Sequence, residues 1–290
     1  MRFDVLEPRS VQEAVDLLAA RPEERRVVAG GTALIVFLKE RAYTPEALVS
    51  LHRVPGLSGV EPEDGGLRIG AMTRLADVHR DARVRAECPV LAEATRVVAN
   101  ARIRAVATLG GNLCHADYHS DPPGVLLALG ARVQVRGPAG ERDIPIAEFY
   151  RDFYETSLRP GEIAVAIRIP GSPLARTGVY QRHMYSARDD WPCLGVTALA
   201  EVDETCRTLR LALAGVANRP LRLTWVEEQA VGRRADAALA AALADLAAEG
   251  VDPISDLKGP DWYKKEMVRV CVAEAIERAF ERARPAGRRE

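Results

Sequence analysis

The chain has 290 residues, 48% of them apolar and 28% charged, with a formal net charge of -1. That length suits about two domains of an ordinary soluble globular protein, and so small a net charge argues against nucleic acid as the main partner. No run of about 18 apolar residues offers a membrane span, and the opening residues carry no apolar signal core, so a cytoplasmic location is expected.

Ser10-Val11-Gln12-Glu13 fits the S/T-x-x-E capping box, and Val11, Ala14, Val15 and Leu18 then recur on one helical face. Residues 25–29 read as a short buried strand running into Val28-Ala29-Gly30-Gly31-Thr32, 33–39 as a helix and 47–51 as a second strand. This is a small α/β unit whose glycine loop lies at a helix N-terminus, where free N–H groups and the helix dipole favour an anion. After Gly65-Gly66, residues 67–71 read as a strand, and Thr73 is the expected cap of a short helix through about His79. Pro89 opens a helix over 89–99 with Leu91, Ala94, Thr95 and Val98 on its inner face. A second double-glycine turn, Thr108-Leu109-Gly110-Gly111-Asn112, follows Ile103-Arg104. Asp121-Pro122-Pro123 predicts a helix to Leu129 with Asp121 as its N-cap, and 132–136 and 163–169 alternate as strands. Pro170-Gly171-Ser172-Pro173 is the best linker. Beyond it, strands at 178–184, 194–202 and 209–216 precede helices at 224–231, 235–248 and 262–283, a grouping that predicts an α+β domain on a three-stranded antiparallel sheet. Residues 285–290 are expected to form a frayed tail.

The two glycine pairs are the main chemical signal. Glycine is tolerated where φ is positive or where a ligand approaches the main chain closely, and two such loops in one domain suggest a cradle for a phosphate-rich ligand. Neither loop fits GxGxxG or GxxxxGK[ST]. The five cysteines, Cys88, Cys114, Cys193, Cys206 and Cys271, are scattered without a CxxC pair. That spacing disfavours an iron–sulfur cluster or structural zinc in this chain and predicts reduced thiols packed as small apolar side chains. His115 and His119 have the i, i+4 spacing of a helical metal pair. No Ser–His–Asp or Cys–His arrangement stands out, so no catalytic residue is assigned.

Together these residues resemble the FAD-binding medium subunits of the molybdenum hydroxylases, the group containing carbon monoxide dehydrogenase and xanthine dehydrogenase. The resemblance runs from Phe3, Pro8, Ser10 and Ala14 through both glycine loops, Leu67-Arg68-Ile69-Gly70-Ala71 and Asp121…Leu129, to Asp256-Leu257-Lys258-Gly259 and Trp262-Tyr263-Lys264-Lys265. It implies an α+β fold: a two-subdomain FAD-binding domain of the PCMH type over 1–173 (subdomains about 1–55 and 56–173), then a carbon monoxide dehydrogenase flavoprotein C-terminal-like domain over 174–284. It also implies that Ala29, Gly30, Gly31, Thr32 and Ala33, with Thr108, Gly110, Gly111 and Asn112, hold the FAD pyrophosphate. Thr32 and Thr108 would supply hydroxyl donors and Asn112 both donor and acceptor capacity.

Asp121 matches an FAD-contacting aspartate, and an accepting bond from ribose or adenine suits it better than a place beside the pyrophosphate. The segment Cys114–Asp121 is richer in side chains than is common in relatives, where it is a loop; that argues against the histidine metal pair and places His115 beside the cofactor. Arg182 falls near a position that often carries a lysine close to the flavin and would stabilise negative charge there; the alternative is an outward-facing strand arginine. Trp191 would lie over or beside the isoalloxazine ring or simply pack, and Asp189 and Asp190 are expected to begin a solvated turn. The implied function is an electron-transfer subunit, with molybdenum cofactor in a large partner, [2Fe–2S] clusters in a small partner, and a dimer of heterotrimers overall. The alternatives are a self-contained flavin-dependent oxidoreductase, similar to UDP-N-acetylenolpyruvoylglucosamine reductase, and a flavin-free assembly subunit.

Overall fold

The computed structural model describes residues 2–187 and 190–284, so Asp189 and the tail at 285–290 lie outside the described residues. Three parallel strands open the chain, with Ala47–Ser50 between Asp4–Leu6 and Arg25–Val28. Their helix, Val11–Ala20, starts where expected: Ser10 Oγ accepts from Glu13 N at 3.1 Å, and the Glu13 carboxylate takes the N–H of Arg9 at 2.7 Å. Ala14, Val15 and Leu18 form its buried stripe.

A five-stranded antiparallel sheet follows, in the order Val60–Glu63, Gly66–Gly70, Ile163–Ile169, Arg132–Gly137, Gly140–Pro145. Thr73 does not cap the next helix. Arg74 holds that position without a side-chain bond, and the Thr73 hydroxyl is tied to the backbone of Gly59 instead. Asp121 is the first helical residue of Asp121–Leu129 rather than its cap, because Ser120 occupies the N-cap position.

The C-terminal sheet contains the three expected antiparallel strands, Val179–His183, Leu194–Val202 and Cys206–Ala214, and a two-residue fourth, Leu221–Arg222. Helices Thr224–Ala230 and Asp261–Ala283 pack on it, and Ala237–Gly250 packs on those helices, around a core that includes Val196, Leu211, Leu243, Val272 and Phe280.

Helix Asp121–Leu129 joins the two halves. It lies between helix Pro89–Val97 and the C-terminal sheet, and every one of its residues is buried, as expected of a helix with no polar face. Gly124 allows the close approach, since a Cβ there would stand 3.4 Å from that of Ala214. Among the described residues, no helix is long and apolar enough to cross a membrane.

Candidate functional site

A cleft of about 640 Å³ runs between the N-terminal parallel unit and the rest of the molecule. Its walls bring together residues 29–33, Thr108, Gly110, Gly111, Asn112, His115, Asp121, Arg182 and Trp191, all singled out from the sequence.

The first glycine loop leaves the end of strand Arg25–Val28 and enters helix Leu34–Lys39. Gly30 is required by packing: a Cβ there would meet the Val106 carbonyl oxygen at 2.1 Å. Gly31 is required by conformation, with φ of +71°. The carbonyls of Gly31 and Ala33 accept the first helical bonds. The N–H groups of residues 30–33 donate to no protein acceptor among the described residues, so four main-chain donors face the cleft or its water.

The second glycine pair is not a turn. Gly110 and Gly111 lie in the first turn of helix Leu109–His115, with Thr108 as N-cap. Thr108 Oγ1 accepts from Gly111 N at 3.1 Å, while Leu109 N and Gly110 N donate to the carbonyls of Thr73 and Ala71, each at 2.9 Å. Asn112 N takes the Thr108 carbonyl. The N–H groups expected to cradle phosphate here are therefore already engaged. The glycines serve packing instead, since a Cβ on Gly110 would lie 2.6 Å from that of Ala71. What this helix offers the cleft is side chains. Asn112 Nδ2 donates to Ser120 Oγ at 3.0 Å, and its buried Oδ1 has no partner among the described residues.

Asp121 stands at the far wall, 1% exposed. Its Oδ1 accepts from Tyr180 OH at 2.5 Å and from Arg182 Nε at 2.7 Å, while its buried Oδ2 has no partner among the described residues. Burial pushes this carboxyl up, against the pull of Arg182 and Tyr180. Arg182 is turned inward rather than outward and also donates to the Asp190 carbonyl. Its charge is thereby offset by Asp121. Asp190 is part-exposed and ion-paired: hydrogen bonds from Lys258 (2.6 Å) and Ser186 hold its carboxyl down at about 2. Trp191 lines the cleft beside it.

His115 ends helix Leu109–His115 instead of lying in a loop. It packs among Phe37 and Tyr154, ring centroids 5.3 Å away in each case, and burial lowers its pKa. His119 faces a different set of groups, so the two histidines do not converge as a metal pair. Burial holds the Cys114 thiol up at about 12, leaving it protonated.

Sequence reading missed Phe37, Tyr43 and Tyr154, which supply an aromatic wall to the cleft, and Asp117, which lies in the same wall. The aromatic spacing is irregular, with one ring on a helix and two in connections, so no local pattern marks it.

Two family models match the chain: an FAD binding domain in molybdopterin dehydrogenase over residues 1–172, and a CO dehydrogenase flavoprotein C-terminal domain over residues 180–279. The carbon monoxide dehydrogenase medium chain of Afipia carboxidovorans is 34% identical, over 97% of this chain and 98% of that one. The alpha subunit of the 6-hydroxypseudooxynicotine dehydrogenase complex of Paenarthrobacter nicotinovorans is 32% identical, over 98% and 96%. Among solved structures, reconstituted CO dehydrogenase from Oligotropha carboxidovorans superposes with a TM-score of 0.93 at 32% identity, covering 98% of this chain and 99% of that one. With both domain models and two full-length relatives in agreement, this chain belongs to the family of FAD-binding medium chains of molybdopterin-dependent dehydrogenases and is an oxidoreductase subunit.

Proposed function

We propose that the chain seats FAD along the cleft and carries electrons between [2Fe–2S] clusters of a small partner subunit and an external acceptor, while substrate is oxidised at molybdenum in a large partner. The bound flavin supplies the ability to accept and release electrons at a modest potential. The observation that carries this reading is the row of unengaged N–H groups at residues 30–33, a main-chain nest suited to a pyrophosphate.

The unpartnered polar atoms fit the same occupant. Turning the Asn112 amide end for end lets Ser120 donate to Oδ1 and points Nδ2 at an anion. Thr108 Oγ1 already accepts from Gly111 N and keeps its own hydrogen to donate. Asp121 Oδ2 awaits a donor, and its place beside Arg182 and Trp191 favours a hydroxyl or ring N–H of the cofactor over its phosphates. Trp191 and the Phe37, Tyr43 and Tyr154 rings offer flat surfaces for the isoalloxazine. His115 stays neutral there and packs. Arg182 offsets negative charge at that end, moderated by Asp121.

The proposed assembly is a dimer of heterotrimers located in the cytoplasm. The proposed division of the chain at 173/174 is supported by the two matched spans. Titrating the purified chain with FAD tests the reading: a retained flavin spectrum and saturable fluorescence quenching are expected, and failure to retain flavin overturns it. Copurification with large and small subunits tests the assembly.

A further inference from the structure

The side-chain-rich segment after Asn112 carries a charged chain that meets the cleft at Asp117. Asp117 Oδ1 lies 3.2 Å from His119 Nδ1, and the other ring nitrogen of His119 lies 3.1 Å from Asp256 Oδ2. Lys264 Nζ donates to that same Asp256 oxygen at 2.5 Å and to the Gly215 carbonyl at 2.9 Å. Tyr118 OH donates to Asp256 at 2.8 Å, Tyr154 OH to Asp117 Oδ2 at 3.1 Å, and the N–H of His119 to Asp117. Lys264 is 1% exposed, Asp117 6% and His119 8%. A neutral imidazole donates from only one nitrogen. A ring with a carboxylate on each side can satisfy both only by donating from both nitrogens.

Carboxylate acceptors and nitrogen donors thus alternate from the cleft wall into the C-terminal half, in the order Asp117, His119, Asp256, Lys264. Asp117, at one end, is the member that lines the cleft, in the same wall as His115 and Tyr154. Charges in a buried line act more strongly than in water, and a cofactor's potential follows the charge placed near it. Asp117 alone would oppose the arrival of electrons; His119 directly behind it offsets that effect.

We infer that His119 is a positioning residue for electron transfer: pinned between Asp117 and Asp256, it sets the charge that the Asp117 wall of the cleft presents to the cofactor. This rests on the FAD reading above. The test is the midpoint potential of the FAD-loaded full-length chain, measured by spectroelectrochemistry at neutral pH. His119→Gln replaces a ring that faces both carboxylates by a neutral amide and is expected to lower the potential. Asp117→Asn removes the anion at the wall and is expected to raise it. Shifts of opposite sign support the inference. No shift, or shifts of the same sign as general loosening would give, overturn it. If His119→Gln does not fold, His119→Asn takes its place: a lowered potential supports and an unchanged or raised one overturns. A parent chain that retains no flavin overturns both readings, whereas a flavin-loaded parent with insensitive variants overturns only this one.

Discussion

A methyl group at Gly30 would collide with the Val106 carbonyl, a main-chain atom that cannot step aside, whereas at Gly31 the nearest atom is Ile35 Cδ1 at 3.4 Å. The two glycines of one loop therefore fail differently. Gly30→Ala is expected to separate the loop from the second glycine segment, lowering the melting temperature and abolishing FAD retention together. Gly31→Ala meets only the left-handed backbone penalty, about 1–2 kcal/mol, and is expected to fold while binding FAD more weakly; thermal denaturation beside FAD titration separates the two. Gly111→Ala pushes against Thr108 Oγ1, 2.8 Å from the added carbon, and is expected to weaken FAD retention through loss of that hydroxyl's position. Asp121 fails in a third way. Asp121→Ala leaves Arg182 without its buried carboxylate, a loss of about 3–5 kcal/mol for a buried pair broken on one side, read as a lower urea midpoint. At this scale the sequence exposes part of the cleft, residues 29–33, Thr108 and residues 110–112, because a glycine pair marks each segment. It hides what they do: Asp117 and His119 are two residues apart, but their partner Asp256 comes 137 residues later, and no local pattern announces so distant a pairing.

Among the elements, strands Ile163–Ile169 and Leu194–Val202 and helix Thr224–Ala230 begin where the apolar pattern begins. In these segments the periodicity and the burial agree. The second glycine pair misleads for a physical reason. Glycine disfavours a helix by about 1 kcal/mol relative to alanine, so Gly110-Gly111 reads as a turn; the Thr108 cap and the close contact with Ala71 override that preference. Strand Gly140–Pro145 and the hairpin Tyr150–Asp152 with Glu155–Thr156 carry too many charged or aromatic residues to show a two-residue alternation. Helix Asp121–Leu129 is the element on which both halves depend. Leu126 in its middle is fully buried, and removing its side chain opens a cavity between rigid layers. Leu126→Ala is expected to lower stability by about 2–5 kcal/mol, with a single unfolding transition because the lost packing belongs to both halves; chemical denaturation followed by far-UV circular dichroism checks this.

Across the whole molecule, the charged chain from Asp117 to Lys264 ties the two halves beside the cleft. Burial alone would raise the carboxyls of Asp117 and Asp256, yet hydrogen bonds and charge from His119 on one, and from Lys264, the Lys258 N–H and Tyr118 on the other, outweigh it and hold both below the usual 3.8. A carboxylate with a depressed folded pKa stabilises the fold above its unfolded value, and that stability is lost as pH falls through the folded value. Asp121 acts with the opposite sign. Burial raises its pKa, so its contribution is present below the unfolded value and is lost as pH rises through the folded one. The interdomain chain therefore contributes to the acid limb of stability, as does Asp190, whereas the cofactor-facing aspartate does not. Urea midpoints taken from about pH 6 down to about pH 3 are expected to fall steeply in the parent chain. In the Asp117→Asn, Asp256→Asn double variant they are expected to start lower and fall less, so that the two curves converge in acid. Parallel curves would assign acid unfolding to other carboxylates.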